Sequence, residues 1–452
     1  MQRNMWRAVG LLLLLCFGLA GCSLHDVQFW QKLQQSNRVP ETAREKVNIV
    51  FWDENAASDR TRYYRVLIKE LEKQNPDIHV EYVGLPKKAA RLKINTAITT
   101  NELPDVCGVQ SAWIAEFCTK GVLLRLDSFF DEWQEREELM PAVIEANRKL
   151  APDGGLYQLP NTMGLEILWY RQDWLHMAGV KPPQTWEEFF SAVAELTDKE
   201  KGRYGFTLRG GDGAGIQLLR MMFAYSGYTD FFAPDGHCRI NDPVHAEFLR
   251  RYLGLYRTYT PTSDITNGYQ EMIAAFDTGQ AAIVQHNIGS YSSHRRFLQP
   301  EQYAPLMLPL SRQGTIMQEA HNVDGYGIFR TTQHPEAAWR FVSFLCAAKS
   351  QSFWNKSIGQ IPTNQRALSE PWVDELPHMR LAREELSSPL LRFYEAPMYL
   401  PEYRTTLDSG DAQIEQVMMG KESVEEFLAD WAGAFEAAKR KYDAGIQKKQ
   451  GR

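Results

Sequence analysis

From Val47 to Val109 the chain switches repeatedly between two hydrophobic periods. Val47-Asn48-Ile49-Val50-Phe51-Trp52 is a short apolar run of strand formers, halted by Asp53-Glu54-Asn55. Residues 63–74 carry Tyr64, Leu67, Ile68 and Leu71 at helical spacing and stop at Asn75-Pro76. Ile78 to Val83 alternates as a half-buried strand, 91–100 reads as a helix, and Asp105 to Val109 is another short strand. A strand that passes through a helix into a second strand returns to the same sheet in parallel, by a right-handed crossover. The β-α-β-α-β order therefore predicts an α/β fold on an open, twisted sheet, with ligands outside the carboxyl ends of its strands. At roughly 100–200 residues per domain, 452 residues leave room for two or three domains.

Composition narrows the class. A chain that is 44% hydrophobic and 23% charged is ordinary globular material, which excludes collagen-like, low-complexity and mainly disordered readings. With 50 Lys+Arg against 56 Asp+Glu, the net charge of −6 argues against a general nucleic-acid binder. At the N-terminus Arg3 and Arg7 precede an apolar run from Ala8 to Leu19, followed by Leu19-Ala20-Gly21-Cys22. That run is short for a membrane span and has signal-peptide order. Leu-Ala-Gly-Cys resembles a bacterial lipobox, which implies cleavage before Cys22 and a lipid on its thiol. Residues 1–21 are then a lipoprotein signal peptide and the polar residues 22–46 a lipidated tether. Of the later cysteines, Cys107, Cys118, Cys238 and Cys346, none forms a C-x-x-C pair or lies at zinc-ligand spacing to a histidine. Inert buried thiols fit them better than a Cys107–Cys118 disulfide, and no metal or cofactor is expected.

Further along, Asp153-Gly154-Gly155 reads as a tight turn and Ile167 to Tyr170 as an apolar strand. Pro183-Gln184-Thr185-Trp186-Glu187-Glu188 is a sharp helix start, with Thr185 as N-cap and Glu188 completing a capping box. Residues 213–279 are largely helical, Ala281 to Val284 and Tyr326 to Phe329 are buried strands, and 411–445 is helix-rich. There is no G-x-S-x-G, H-E-x-x-H or G-x-x-x-x-G-K-[ST]. Gly210-Gly211-Asp212-Gly213-Ala214-Gly215 lacks dinucleotide-binding spacing and reads as a flexible turn before a helix.

Aromatic and polar residues gather where strands end. Trp52-Asp53-Glu54-Asn55 follows the first strand, Gln110-Ser111-Ala112-Trp113 the third, and Ser290-Tyr291 the Ala281–Val284 run. A sugar offers an apolar C–H face to aromatic rings and a rim of hydroxyls to carboxylates and amides, so these clusters suit a carbohydrate in a cleft.

The same residues carry a family resemblance. Val47–Asn55 and Leu71-Glu72-Lys73-Gln74-Asn75-Pro76-Asp77-Ile78 resemble the opening of family 1 extracellular solute-binding proteins, the sugar-type receptors of ABC importers related to maltodextrin-binding protein. Leu103-Pro104-Asp105-Val106, Gly121-Val122-Leu123-Leu124, Gly155-Leu156-Tyr157-Gln158-Leu159-Pro160 and Trp169-Tyr170-Arg171 continue the match. Pro183–Glu188, Phe276-Asp277-Thr278-Gly279-Gln280-Ala281-Ala282, His334-Pro335-Glu336-Ala337-Ala338-Trp339 and Ile361-Pro362-Thr363-Asn364 complete it in the family's order. The chain departs from the pattern at Gly289-Ser290-Tyr291, where the family often has a Trp that stacks on sugar. It departs again at Asp324-Gly325, where members often have Gly-Gly. A carboxylate at Asp324 suits hydroxyls or a cationic ligand better than a simple maltodextrin.

The resemblance implies a two-lobed, type II periplasmic-binding-protein-like fold. Lobe one would hold 47–162 with 326–362 and lobe two 166–320 with 367–445, joined by crossings near 161–167, 320–327 and 361–367. It implies binding by hinge closure, with no catalysis, and delivery of a carbohydrate to ABC permease subunits by a monomer on the extracytoplasmic side of the cell membrane. The expected stacking residues are Trp52, Trp113, Tyr291 and Tyr225. Glu54, Asn55, Gln110, Asp324 and Arg404 are the expected hydrogen-bonding groups. Two alternatives stay open: a lipid-anchored glycoside hydrolase using a carboxylate pair, and a receptor that presents ligand to a sensor kinase.

Overall fold

The computed structural model describes residues 46–450, so Cys22, the signal peptide and nearly all of the tether lie outside the described residues. In chain order the strands are β1 (Val47–Asp53), β2 (Ile78–Gly84), β3 (Val106–Gln110), β4 (Leu159–Met163), β5 (Glu166–Tyr170) and β6 (Tyr204–Thr207). They continue with β7 (Ala281–Asn287), β8 (Ala304–Met307), β9 (Ile316–Glu319), β10 (Val323–Ile328), β11 (Ile361–Pro362) and β12 (Leu391–Tyr394).

The first five predicted elements appear in order, and the helices begin earlier than periodicity suggests, at Ser58–Gln74 and Lys87–Thr100. Their exposed first turns carry few apolar residues, so periodicity alone is blind to them. β1 pairs in parallel with both β2 and β3. The six-stranded sheet runs β11-β4-β10-β3-β1-β2, with β10 antiparallel to β3 and β4. Ile49 and Phe51 are fully buried beneath it with Tyr64, Leu71, Phe341 and Trp354.

A separate four-stranded sheet, β6-β7-β5-β8, has β6 and β7 parallel and β5 antiparallel to both its neighbours. β9 and β12 form a parallel ribbon of their own. The chain therefore leaves the larger sheet between β4 and β5 and re-enters it between β9 and β10. Periodicity does not reveal β4: Leu159-Pro160-Asn161-Thr162-Met163 lacks a clean period because both its faces are buried.

Helix Trp186–Glu195 carries the anticipated capping box: Glu188 N–H donates to Thr185 Oγ1 at 3.2 Å, and Thr185 N–H to Glu188 Oε2 at 3.1 Å. Thr185→Ala is expected to cost about 1 kcal/mol of stability, checked by chemical denaturation. All four later cysteines are free thiols; Cys107, Cys238 and Cys346 are buried, and burial pushes Cys118 up to about 12. Among the described residues no helix is long and apolar enough to cross a membrane, and no group of three or more His, Cys, Asp or Glu is placed to hold a metal.

Candidate binding site between the two sheets

Parallel strands end at one edge, so the residues just beyond β1, β2 and β3 share one rim of the larger sheet. Asp53 closes β1, Glu54 and Asn55 follow it, and Arg60 lies in the first turn of the next helix. After β2 comes Lys87, at the head of helix Lys87–Thr100. Gln110 closes β3 and is paired in register with Asp324 on antiparallel β10. The register with β4 shifts between Asp324 and Gly325.

Glu54 is only 4% exposed because its carboxyl lies over Gly108 of β3, where a Cβ would overlap it. Burial pushes its pKa up to about 8, helped by the negative charges of Asp53 and Asp324 and opposed by Arg60. Asp53 accepts from the Tyr82 hydroxyl at 2.7 Å and from Asn55 N–H at 3.1 Å. Asp324 remains solvent-exposed, yet crowding strips enough hydration to raise its pKa, against the pull of Lys87 and Arg60.

The smaller sheet presents its own carboxyl edge. Arg209 follows β6, and His286 and Asn287 close β7. Tyr269 lies against the His286 ring with centroids 4.4 Å apart, and His286 Nδ1 meets Ser290 Oγ at 2.6 Å. Burial and the positive charges of Arg209, Lys87 and Arg220 drive the His286 pKa well below its ordinary value, so the ring is neutral. The two edges face each other. Desolvation and the charges of Arg209, Arg404 and Arg60 lower the Lys87 ammonium to about 8. Arg91 also bridges helix Lys87–Thr100 to helix Tyr403–Met418, donating to Asp408 at 3.2 Å and Thr405 at 3.1 Å. Arg296, on helix Tyr291–Phe297 after β7, pairs with Asp59 in the first turn of helix Ser58–Gln74 after β1.

Glu54, Asn55, Gln110 and Asp324 thus share the rim of the larger sheet. Arg404 lies within electrostatic reach of Lys87 and Arg209 but is held by Asp408 at 2.8 Å. Two of the aromatic expectations, Tyr225 and Trp113, need correction. Tyr225 is 4% exposed, stacked on Phe248 at 4.8 Å and donating to Glu247 at 2.8 Å, so it is a core residue. Trp113 is equally buried, against Phe117. The half-buried Trp52 ring carries the Lys93 ammonium 4.7 Å from its centre. Tyr291 stacks on His378 at 4.0 Å and runs nearly parallel to Trp169, with the Arg295 guanidinium 5.7 Å from its ring centre. That ring is already taken up by protein groups. Tyr291→Ala should lower apo stability by about 1–2 kcal/mol, read by thermal melting, and leave ligand affinity within about twofold. A large affinity loss at constant melting temperature would restore the stacking role.

Sequence reasoning missed Arg60, Lys87, Arg209, Tyr269 and His286. The signal was present: each of the three cations follows a strand's carboxyl end by a few residues. Attention to aromatic and carboxylate clusters passed over them, and the glycines after Arg209 read as a loop.

Known proteins resemble this chain in sequence and in fold. The profile of the family described as bacterial extracellular solute-binding protein matches residues 57–352. The mannitol-binding protein of Pseudomonas aeruginosa is 27% identical over 234 residues, 50% of this chain and 52% of its own. The GacH receptor of Streptomyces glaucescens, solved unliganded and with acarbose, is 22% identical, with a TM-score of 0.74 over 86% of this chain and 98% of that one. An ABC transporter solute-binding protein of Thermotoga lettingae, bound with alpha-D-tagatose, is 17% identical, with a TM-score of 0.76 over 86% of this chain and 99% of that one. At these identities the solved structures share the fold.

Proposed function

The chain belongs to the bacterial extracellular solute-binding protein family, and we propose that it captures a carbohydrate between its two lobes and delivers it to an ABC importer. The supporting observation is the convergence of polar and charged groups from the carboxyl edges of both sheets. There Arg91 ties helix Lys87–Thr100 to Asp408 and Thr405 of helix Tyr403–Met418, and Asp411 of that second helix holds the Gly213 and Gly215 N–H groups after Arg209. Groups split between two bodies make differential contacts only when the bodies close, which is how a solute selects the closed form. Glu54, Asn55, Gln110 and Asp324 on one rim, with Tyr269, His286 and Arg404 facing them, are the groups proposed to meet hydroxyls. The mannitol, acarbose and tagatose in the names of the related proteins support this solute class. The family is one of binding proteins, not enzymes, and no observation favours the hydrolase or the sensor-kinase receptor.

The lobes in this reading are 47–162 with 326–362, and 166–320 with 367–445. Their support is sheet membership: β4 and β5 belong to different sheets, and so do β9 and β10. A thermal-shift screen of the chain lacking residues 1–21 against neutral sugars, sugar alcohols and sugar acids tests the function. A ligand at 100 times its Kd adds about 2.7 kcal/mol, a plainly visible shift. No shift with any carbohydrate would overturn it.

The lipid anchor at Cys22 is part of the proposal and rests on Leu19-Ala20-Gly21-Cys22. Cys22→Ser should leave the melting temperature unchanged and move the protein out of the membrane fraction. Membrane retention at the wild-type level would remove the anchor from the proposal.

A further inference from the structure

Arg60, Lys87 and Arg209 go beyond what a neutral sugar needs. Most cations near the cleft are spent on carboxylates: Arg91 on Glu116 and Asp408, Arg220 on Glu166 and Glu319, Arg404 on Asp408. Among the described residues these three have no such partner. Arg60 rests its guanidinium on the Trp354 indole at 4.7 Å, and its Nε is buried without a hydrogen-bond partner. Arg209 donates its Nε to the Asp212 carbonyl at 2.7 Å, which leaves its terminal nitrogens free for a ligand. Gly213, at φ +79°, makes room for that guanidinium, since a Cβ there would press on Nη2.

Like charges brought together from both lobes repel, and the repulsion grows as closure removes water. Carboxyl groups lie near them, Asp53, Glu54 and Asp324 around Arg60, Asp324 toward Lys87, and Asp212 and Asp411 toward Arg209, but none of these forms an ion pair with the three cations. The Asp53 carboxylate has its two oxygens held by Asn55 N–H and the Tyr82 hydroxyl, as those of Asp411 are by the N–H groups of Gly213 and Gly215. Burial over Gly108 raises the Glu54 pKa to about 8. Guanidinium groups with free terminal nitrogens bind planar carboxylates and phosphates through paired, charge-assisted hydrogen bonds.

We propose that the solute carries an acidic group, a sugar carboxylate or a sugar phosphate, held between Arg60, Lys87 and Arg209. This rests on the solute-binding reading above and names the class of solute within it. An anion bound between them offsets their mutual repulsion, so closure is coupled to the acid.

Calorimetry on the chain lacking residues 1–21 tests this with matched pairs: D-glucuronate and D-galacturonate, free and as short oligomers, and glucose 6-phosphate, against glucose, galactose and their neutral oligomers. Carboxylate and phosphate arms identify the source of the anion. The expected result is binding of at least one acidic member about tenfold or more tighter than its neutral counterpart, weakening between about 50 and about 300 mM salt. Lys87→Met and Arg209→Ala should each erase most of that preference while the apo melting temperature stays in place. A neutral sugar bound as tightly as its acidic counterpart overturns the inference and leaves the carbohydrate-binding reading intact. An acid preference unchanged in both variants also overturns it. Failure of every sugar, acidic or neutral, overturns the reading itself.

Discussion

Arg220→Ala is expected to lower the free energy of unfolding by about 3–5 kcal/mol. Arg220, on helix Ala214–Ser226, donates from Nη1 to Glu166 Oε1 at 2.6 Å and from Nε and Nη2 to Glu319 Oε2 at 2.8 and 2.5 Å. Both carboxylates are almost wholly enclosed, at 5% and 0% side-chain exposure, so removing the cation strands two charges in low dielectric. Each partner sits where the chain changes sheets: Glu166 opens β5, and Glu319 closes β9. Asn322, between β9 and β10, donates to the Gly164 carbonyl at 3.1 Å, and Gly164 N–H to the Asn322 carbonyl at 3.0 Å, tying the two crossings together. The variant should therefore also blur the relation between the lobes. A urea titration measures the first effect as a lower midpoint at unchanged slope. The triple replacement Arg220→Met, Glu166→Gln, Glu319→Gln should recover a large part of the loss, because it removes the buried charges as a set. A loss under about 1 kcal/mol in the single variant would show that water reaches the triad.

Glu54 should make the protein less stable as pH rises. Its folded pKa is raised from 4.5 to about 8 by burial over Gly108 and by Asp53 and Asp324. Below the unfolded value the carboxyl is protonated in both states and contributes no pH dependence. Between about 4.5 and about 8 the folded state holds a proton that the unfolded state releases, so stability falls with pH. Above about 8 both states are ionised and the full penalty, on the order of a few kcal/mol, is present. Glu54→Gln keeps the shape and removes the ionisation, so its stability profile should be flatter over this window and it should exceed wild type at pH about 9. Parallel wild-type and variant profiles would place the Glu54 carboxyl in contact with water. The same proton lets Glu54 donate to a ligand at neutral pH, so ligand affinity should decline on the alkaline side.

Hydrophobic period determined the opening of the fold directly, while the two-lobed plan came from the family resemblance. Residues 47–110 announce strand, helix, strand, helix, strand because each element buries one face, and the spacing of Tyr64, Leu67, Ile68 and Leu71 marks the buried stripe of a helix. Thr185 and Glu188 set a helix end through two local hydrogen bonds that need nothing beyond four residues of chain. The rim after β1 and β3 was likewise legible, since position after a parallel strand implies the carboxyl edge: Glu54, Asn55 and Gln110 lie there. What period does not encode is which side of a ring finds a neighbour. Tyr291 and Tyr225 look alike as aromatic residues near strand or helix ends, but His378, far from Tyr291 in the chain, and Phe248 occupy their faces. The cationic cluster has the same origin. Arg60, Lys87 and Arg209 are each ordinary in their own segment, and only the tertiary structure, which sets the carboxyl edges of two separate sheets facing each other, brings them to one site. Local structure follows from neighbours in sequence, because caps and amphipathic faces are short-range. A binding site made by two lobes depends on long-range contacts, where charges and rings far apart in the chain acquire their partners only when the tertiary structure closes around them.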